Sequence, residues 1–333
     1  MPRTAFVALG TYVPDRVVTN DELTRYMETS DAWIQERTGI RERRWIPAGV
    51  EVDNSELALQ ATRRALARAG WQAKDVEAIV YCSMTPDHML PADGCFLNAK
   101  LGIPGVPAVD LRNQCTGFIY GLAVADAWIR IGMYRRILLV GSEIHSTGLD
   151  LSTRGRDTAV IFGDGAGAAL LEATDEAGRG VLSCHLHADG RFAEDLYCEA
   201  PGSKYHPRVT PEMISSGRIY PRMEGQKVFK HAVSKMPEAV REALQANGLE
   251  AKDLKVVVPH QANLRISQMV QRGLELRDDQ VFNNIQRYGN TTAASIPIAL
   301  AEAVEERGIA KGDLVGLCAF GAGFTWASAL VRW

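Results

Sequence analysis

The chain has 333 residues, of which 46% are hydrophobic and 23% are charged, and its formal net charge is −3. This composition is that of an ordinary globular protein, and the small net charge excludes a global field that would draw the chain onto nucleic acid or an anionic membrane. No apolar run approaches the roughly 18 residues that a membrane-spanning helix needs, and the first residues lack the apolar core of a signal peptide. The six cysteines form no C-x-x-C pair and no zinc-type spacing, so we expect a reduced, cytoplasmic protein without a metal site.

The first half of the chain predicts alternating strands and helices. Two helix starts have capping signals: Thr19, with Glu22 three residues on, and Ser30, ahead of a helix that Gly39 ends. An amphipathic pattern predicts a long helix over Asn54–Ala69. Buried strands are predicted at four places: Ala5–Leu9, Val76–Cys82, Val109–Leu111 and Arg135–Gly141.

Three segments stand apart from this alternation. The arginine run of Arg41, Arg43 and Arg44 is typical of a solvated face. The glycines of Phe162–Ala168 lack the strand–GxGxxG–helix context of a dinucleotide site, so we interpret them as packing positions. The Pro- and Gly-rich segment Ala188–Arg222 is too long for a plain connection, and it predicts a cap over an active site or a mobile segment.

Cys115 ends a polar lead-in and precedes a small-residue apolar segment that runs to Ala125, which predicts a buried helix beginning at or just after the cysteine. Unsatisfied N–H groups and the positive end of the helix dipole gather at such a position. This setting predicts a thiol pKa lowered from its free value of about 8.5, and hence a nucleophilic thiolate. The alternative is that Cys115 is a small buried hydrophobic residue, as most free cysteines are.

The second half of the chain repeats the first. The segment Ala65–Val80 contains a helix, a glycine stop, an Ala-Lys-Asp loop and a strand, and it aligns with Ala243–Val258 at an offset of 178 residues. The same offset sets the Cys115 region beside Asn290–Ala301, another small-residue helix start. We therefore predict an α/β fold whose duplicated halves bring their strand-end loops to one central cleft. The two predicted halves are residues 1–173 and 174–333.

Two polar residues of the second half lie where this repeat predicts functional loops. His260 follows the strand Val256–Val258, and Asn290 comes just ahead of a helix. Taken singly, the histidine would more often be structural and the asparagine an ordinary N-cap. Together with Cys115 they can converge on one pocket.

These segments resemble the β-ketoacyl-[acyl-carrier-protein] synthase III family of thiolase-fold condensing enzymes. The resemblance covers nearly the whole chain, from Thr29–Arg44 to Ala319–Arg332, and its most specific segments are those around Cys115, Pro259–Asn263 and Gly289–Thr291. It implies a thiolase-like, five-layered αβαβα core. It also implies a decarboxylative Claisen condensation of an acyl-CoA primer with malonyl-ACP, which gives 3-oxoacyl-ACP, CoA and CO₂ at the start of fatty acid synthesis.

The resemblance implies the catalytic roles as well. Cys115 would carry the acyl group, and the backbone N–H groups of Cys115 and Ala322 would stabilise the tetrahedral oxyanion. His260 and Asn290 would donate hydrogen bonds to the enolate that decarboxylation leaves. No cofactor and no metal are implied, since acyl-CoA and the malonyl thioester are substrates.

Contacts to coenzyme A are implied for four residues. Trp33 would stack on the adenine, and Arg37 would cover its other face by a cation–π contact. Arg156 would add a further contact, and Asn263 would hydrogen-bond the pantetheine. Phe320 is expected near the catalytic cysteine, although a plain core aromatic fits its pattern equally well.

The implied protein partners are the acidic acyl carrier protein and a second copy of the chain. Arg265 and Gln261, with the Arg41–Arg44 cluster, are the candidate docking residues for the carrier protein. Short-chain members of the family often have a bulky aromatic in the Thr85–Pro91 loop that crosses the dimer interface and closes the acyl tunnel. This chain has Leu90 there, so we expect medium-chain acyl-CoA to be accepted at least as well as acetyl-CoA.

Three alternatives remain open from the sequence. A specialised relative of secondary metabolism could condense an aromatic or longer primer, or transfer an acyl group, and Ala200–Ser203 and Thr85–His88 look like features of such relatives. A non-catalytic thiolase-fold subunit is less compatible with an intact set of cysteine, histidine and asparagine. A non-decarboxylating thiolase would use a second cysteine, but Cys318 lies on a predicted strand and is expected in the core.

Overall fold

A computed structural model describes all residues of the chain, 1–333. Its strands are β1 (Arg3–Tyr12), β2 (Val17–Thr19), β3 (Glu42–Arg44), β4 (Ala78–Cys82), β5 (Ala108–Leu111), β6 (Arg136–Glu143), β7 (Gly165–Thr174), β8 (Gly180–Ala188), β9 (Leu196–Cys198), β10 (Pro221–Met223), β11 (Val256–Pro259), β12 (Leu314–Gly321) and β13 (Thr325–Arg332). Its α-helices are α1 (Asn20–Leu23), α2 (Asp31–Thr38), α3 (Asn54–Ala69), α4 (Asp93–Leu101), α5 (Gly117–Arg130), α6 (Arg156–Ala159), α7 (Pro211–Ser215), α8 (Gly225–Ala246), α9 (Leu264–Gly273), α10 (Ile285–Tyr288) and α11 (Ser295–Glu306). None of these helices combines the length and the apolar character that crossing a bilayer requires.

Two mixed sheets carry the fold. The first has the strand order β1-β7-β6-β4-β5, and the second has the order β11-β12-β13-β8. In the first sheet β4 pairs in parallel with β5 and β6, while β7 is antiparallel to both of its neighbours. In the second sheet β11 and β12 are parallel, and β13 is antiparallel to both of its neighbours. The four strands of the second sheet therefore repeat the arrangement of β1, β7, β6 and β4, as expected for a duplicated unit, whereas β5 has no counterpart in the second sheet.

The helices form three layers around the two sheets. α5 and α11 lie between the sheets. Their buried side chains, which include Ile119, Leu122, Ile296 and Leu300, share one hydrophobic core with residues of both sheets. α3 packs on the outer face of the first sheet, and α8 packs on the outer face of the second. The predicted αβαβα layering is therefore confirmed.

The predicted repeat is visible in the positions of corresponding elements. The Ala-Lys-Asp loop forms a 3-10 turn over Ala73–Asp75 and again over Ala251–Asp253. α5 begins at Gly117 and α11 at Ser295, and the starts of β6 and β12 have the same separation of 178 residues. The order of elements passes from the first sheet to the second between β7 and β8, close to the predicted division at residue 173.

Most local predictions match the elements. Ser30 caps α2 by accepting a hydrogen bond from Trp33 N at 3.2 Å, and Gly39 ends this helix with φ 77°. α3 has the predicted limits. A Cβ on Gly167 would lie 2.6 Å from the Cβ of Pro297, which confirms that this glycine is needed for close packing of β7 against α11.

The expectation that the arginine run is a solvated face is wrong for Arg43. Its side chain is fully buried, and its guanidinium donates to Val18 O at 3.1 Å, to Asn20 Oδ1 at 2.8 Å and to Val160 O at 2.9 Å. These acceptors come from two segments, Val18–Asn20 and Val160, that are distant from Arg43 in the chain, so the charge pattern alone could not indicate them. Arg43 is excluded from any docking surface.

The predicted cap at 188–222 is a folded insertion with secondary structure of its own. It contains the β9–β10 ribbon and α7, and the ribbon pairs Leu196 with Met223 over the site described below. The cap begins at Asp189, whose backbone exchanges two hydrogen bonds with Phe324, at 2.8 and 2.9 Å. It is therefore tied to the turn between β12 and β13.

Candidate active site

One cavity of about 640 Å³ reaches from the surface to the junction of the two halves. Cys115, His260 and Asn290 line it and are all buried. Arg37 and Arg265 also line it and are exposed. The exposed arginines therefore mark the mouth, and the three buried residues mark the inner end. The other lining residues are mainly apolar and include Leu196, Met223, Val228, Phe229, Ala232, Met236, Ile266 and Phe320.

Cys115 lies in a 3-10 turn, Gln114–Thr116, that leads directly into α5. The preceding residue, Gln114, has φ 43°, an uncommon left-handed conformation for a residue other than glycine. The end of β12 lies against the cysteine, because a Cβ on Gly321 would lie 2.7 Å from Cys115 Cβ and 3.3 Å from Sγ. The turn therefore presents the thiol to the strand end of the duplicate half.

The prediction of a lowered thiol pKa is wrong for the free site. Burial is the main cause that raises the pKa of Cys115 to about 12, and the Glu143 carboxylate adds to it. The backbone N–H groups of Cys115 and Ala322 act in the opposite direction but do not outweigh burial. No cation is among the causes that shift this pKa, so burial decides its direction.

His260 follows β11, and its own backbone N–H donates to Cys318 O at 2.7 Å. Its Nδ1 lies 2.6 Å from Ser295 Oγ. Burial lowers the pKa of His260 to about 3, so the imidazole is neutral at physiological pH. Its Nε2 is buried and has no protein partner.

Asn290 is held by its backbone and by its side-chain oxygen. Its N–H donates to Ile161 O at 2.9 Å, and its carbonyl accepts from Gly163 N at 3.0 Å. Its Oδ1 accepts from Thr292 N at 2.8 Å. This bond closes a local Asx-type turn and is not a helix cap, because the residues that precede the following 3-10 turn and α11 are Thr291 and Ala294. The turn uses only the oxygen, and the amide Nδ2 keeps its donors without a protein acceptor.

Trp33 and two arginines form an aromatic–cation cluster at the mouth. The guanidinium carbons of Arg37 and Arg156 each lie 4.6 Å from the Trp33 ring centroid. Trp33 and Arg37 line the cavity, whereas Arg156 reaches the cluster from α6 beside it. Asn263 joins α9 to α2, because its Nδ2 donates to Arg37 O at 2.8 Å and its Oδ1 accepts from Arg265 N at 2.9 Å.

The predicted docking role of Gln261 is wrong. Only 3% of Gln261 is exposed, and its side chain donates to Pro259 O at 2.7 Å and accepts from Asn284 N at 3.0 Å. The amide joins two loops of the second half, and it has no access to a partner surface. The sequence could not separate it from exposed neighbours, because the chain turns inward after β11.

The remaining predicted residues lie in three environments. Phe320 lines the cavity and packs against Phe324, with ring centroids 4.9 Å apart. Cys318 is fully buried on β12 and does not line the cavity, as expected for a core residue. Leu90 is 80% exposed and lies outside the cavity of its own chain.

Sequence reasoning missed two buried residues beside the site, Ser295 and Glu143. Glu143 accepts hydrogen bonds from Thr85 Oγ1 at 2.6 Å and from Ala293 N at 3.4 Å, and burial raises its pKa to about 7. The repeat offered a signal, because the offset of 178 sets Ser295 opposite Gly117, two residues after Cys115.

Gly321→Ala should disable the site while leaving the fold intact. The added Cβ would overlap Cys115, so we expect about 1–3 kcal/mol of destabilisation and a loss of Cys115 acylation on the order of 10²-fold from the displaced sulfur. Chemical denaturation and intact-mass measurement would report the two effects. Gly148→Ala is the control, since nothing lies within 4 Å of its added Cβ; equal acylation by the two variants would contradict the prediction.

Comparison with known proteins gives a consistent result over the whole chain. The model of 3-oxoacyl-[acyl-carrier-protein] synthase III matches residues 109–190, and that of its C-terminal part matches residues 244–333. A β-ketoacyl-[acyl-carrier-protein] synthase III from Roseiflexus castenholzii is 47% identical over 329 residues, covering 99% of this chain and 98% of that protein.

Solved structures agree in fold and length. The 3-oxoacyl-(acyl carrier protein) synthase III from Pseudomonas aeruginosa is 40% identical with a TM-score of 0.89, covering 99% of this chain and 98% of the other. The priming β-ketosynthase from the R1128 polyketide biosynthetic pathway is 31% identical with a TM-score of 0.89, covering 99% and 96%. With relatives at these identities spanning its full length, the chain belongs to the β-ketoacyl-[acyl-carrier-protein] synthase III family of thiolase-fold condensing enzymes.

Proposed function

We propose that this condensing enzyme joins an acyl-CoA primer to malonyl-ACP with loss of CO₂, using Cys115 as the acyl carrier. The observation that supports this best is the shared cavity: it unites a thiol from the first half with two neutral donors, His260 and Asn290, from the second. Thiol and donors are the groups that acyl transfer and enolate stabilisation each require. Every step uses side chains or backbone of the chain, so the proposal includes no cofactor.

In the first half-reaction, Cys115 Sγ attacks the carbonyl carbon of the acyl-CoA. The backbone N–H groups of Cys115 and Ala322, which already lower the thiol pKa, stabilise the tetrahedral oxyanion. The intermediate collapses to the acyl-Cys115 thioester and CoA, and the thiol proton ends on the CoA sulfur. Because burial raises the pKa of the free thiol, the proposal has the thiol lose its proton as Sγ attacks.

In the second half-reaction, the malonyl thioester breaks its bond to the terminal carboxylate and releases CO₂. The electron pair moves onto the thioester oxygen as an enolate, where His260 Nε2–H and Asn290 Nδ2–H₂ donate hydrogen bonds. The enolate carbon then attacks the acyl-Cys115 carbonyl, and Cys115 leaves as a thiolate. A neutral imidazole suits this step because it donates a hydrogen bond without protonating the nucleophilic carbon.

The cavity mouth supports the proposed recognition of the carrier arm. In the proposal the adenine of CoA takes the place of one of the two guanidiniums that lie over the Trp33 ring, and Arg37 and Arg156 then stack on the adenine or pair with phosphate. Exposed Arg265 lies at the same mouth, with its guanidinium carbon 5.4 Å from the Phe229 ring centroid. With Gln261 and Arg43 buried, Arg265 remains a docking candidate for the acidic carrier protein, together with exposed Arg41 and half-buried Arg44.

A homodimer is part of the proposal. β5 pairs only with β4, so its other edge is open, and exposed Val109 lies on it. Such an edge favours pairing with another chain. Apolar side chains are exposed elsewhere on the surface as well, among them Ile131 and Met133 beyond the end of α5. In such a dimer the Leu90 loop of one subunit would reach the acyl site of its partner.

The primer preference tests the proposal directly. Incubation with a panel of acyl-CoAs followed by intact-mass measurement should show octanoyl labelling of the wild-type protein at least equal to acetyl labelling. Addition of malonyl-ACP should then release CO₂ and form 3-oxoacyl-ACP. Leu90→Phe should shift the ratio toward acetyl by about tenfold or more, because a larger ring shortens the acyl site.

Met89→Leu, a neighbouring change on the same exposed loop, is the matched control and should leave the ratio unchanged. Labelling of the wild type by acetyl-CoA alone would overturn the chain-length prediction. Labelling by aromatic primers only, with transfer to a nucleophile other than malonyl-ACP, would instead support a specialised ketosynthase. The similarity to a priming β-ketosynthase of a polyketide pathway is the observation that favours this alternative.

A further inference from the structure

The proposed function requires His260 to donate a hydrogen bond through Nε2, yet a neutral imidazole has two tautomers. One carries its proton on Nε2 and is a donor toward the cavity; the other carries it on Nδ1 and presents an acceptor. The partner of Nδ1 decides between them. In this structure that partner is the Ser295 hydroxyl, 2.6 Å away.

The surroundings of Ser295 decide which group donates. Only 2% of Ser295 is exposed, and its Oγ has two neighbours within hydrogen-bonding distance: His260 Nδ1 at 2.6 Å and the backbone N–H of Gln261 at 3.4 Å. The Gln261 group can only donate, so it occupies a lone pair of the hydroxyl oxygen. If Nδ1 also donated, the buried hydroxyl proton of Ser295 would have no acceptor.

With the opposite assignment the Ser295 hydroxyl, His260 Nδ1 and the Gln261 N–H are all satisfied. The Ser295 hydroxyl donates to Nδ1, its oxygen accepts from Gln261 N–H, and the imidazole proton resides on Nε2. Nε2 is then a buried donor that has no protein partner and faces the cavity that His260 lines. A buried unpaired donor is costly in the free protein, which is expected where a substrate oxygen is to supply the acceptor.

We propose that Ser295 is a positioning residue that holds His260 in the Nε2–H tautomer and so makes it a hydrogen-bond donor throughout the reaction. The consequence for catalysis rests on the proposed function, whereas the tautomer itself does not. In this state Nε2 has no lone pair for the Cys115 thiol proton. His260 therefore serves decarboxylation and is not the base for acylation.

Nitrogen-15 NMR of the full-length protein labelled at histidine tests the tautomer without any substrate. The His260 signals are identified by their loss in His260→Asn. We expect a protonated Nε2 and an unprotonated, hydrogen-bonded Nδ1. A protonated Nδ1 with a bare Nε2 would overturn the proposal, whatever the enzyme's activity.

Substitution tests the positioning role. In Ser295→Ala we expect malonyl decarboxylation to fall about 10–100-fold, the range seen when groups that orient a functional histidine are removed, while acylation of Cys115 changes less than about threefold. Ser295→Thr keeps the hydroxyl and should recover most of the lost decarboxylation. Equal losses in both half-reactions, with the wild-type tautomer retained in Ser295→Ala, would reduce Ser295 to a structural role.

Ser328→Ala is the matched control, because Ser328 is equally buried and donates to Ala239 O at 2.7 Å, on the outer side of the second sheet. It should leave both half-reactions and the His260 signals unchanged. Failure of the wild-type protein to form 3-oxoacyl-ACP would count against the proposed function. The NMR result would still stand for or against the tautomer.

Discussion

Cys115→Ala should abolish acyl-enzyme formation and reduce condensation by on the order of 10⁴-fold or more, since the nucleophile of a covalent mechanism has no substitute. Intact-mass measurement after incubation with acyl-CoA should show no adduct on the variant and one on the wild type. The donors His260 and Asn290 come from the other half and remain in place, so malonyl decarboxylation should persist without condensation. Release of CO₂ with no 3-oxoacyl product is the expected signature.

Two cysteine variants control this experiment. Cys95→Ala removes an exposed thiol and should label and condense as the wild type does. Cys318→Ala removes a fully buried thiol, which lies on β12 outside the cavity and whose pKa burial also raises to about 12. It should still form an acyl-enzyme. Loss of condensation in Cys318→Ala with acylation preserved would point to a thiolase that uses a second cysteine.

The approach of Cys115 and Asn290 to one pocket was predictable, because aligning the two halves of the chain shows which of their elements are equivalent. Once Ala65–Val80 is aligned with Ala243–Val258, the loops after β4 and β11 and the starts of α5 and α11 become equivalent by symmetry. Helix starts at the junction of two duplicated halves lie near one axis. The sequence therefore predicted that Cys115 and Asn290 approach each other, without any knowledge of side-chain contacts.

The predictions that were wrong failed for one physical reason, which is burial by distant parts of the chain. Arg43, Gln261 and the thiol pKa of Cys115 all depend on burial, which is set by segments distant in the chain. Val18 and Val160 supply the carbonyls that accept from Arg43, and Glu143 adds negative charge beside the thiol. Local composition describes what a residue prefers, but only the tertiary packing decides whether a charge or an amide is enclosed.

His260 and Asn290 should contribute to malonyl decarboxylation much more than to acylation of Cys115. His260→Ala and Asn290→Ala are each expected to lower malonyl decarboxylation by about 10²–10³-fold, the usual cost of removing one donor to a developing oxyanion. Acylation of Cys115 should fall less than about tenfold in either variant, because the proposed mechanism assigns the oxyanion of that step to the backbone N–H groups of Cys115 and Ala322. Single-turnover measurement of the two half-reactions separates these effects.

The double variant, His260→Ala with Asn290→Ala, should lose less than the product of the single losses, since both donors bind the same enolate oxygen and act as one unit. Asn247→Ala is the control: its amide donates to Ser183 Oγ at 2.7 Å at the end of α8, away from the cavity, and both half-reactions should proceed normally. Acylation blocked as strongly as decarboxylation in His260→Ala would make the histidine a base for the thiol. That result would contradict the donor role, because a base must keep an unprotonated Nε2 while an enolate donor must keep a protonated one.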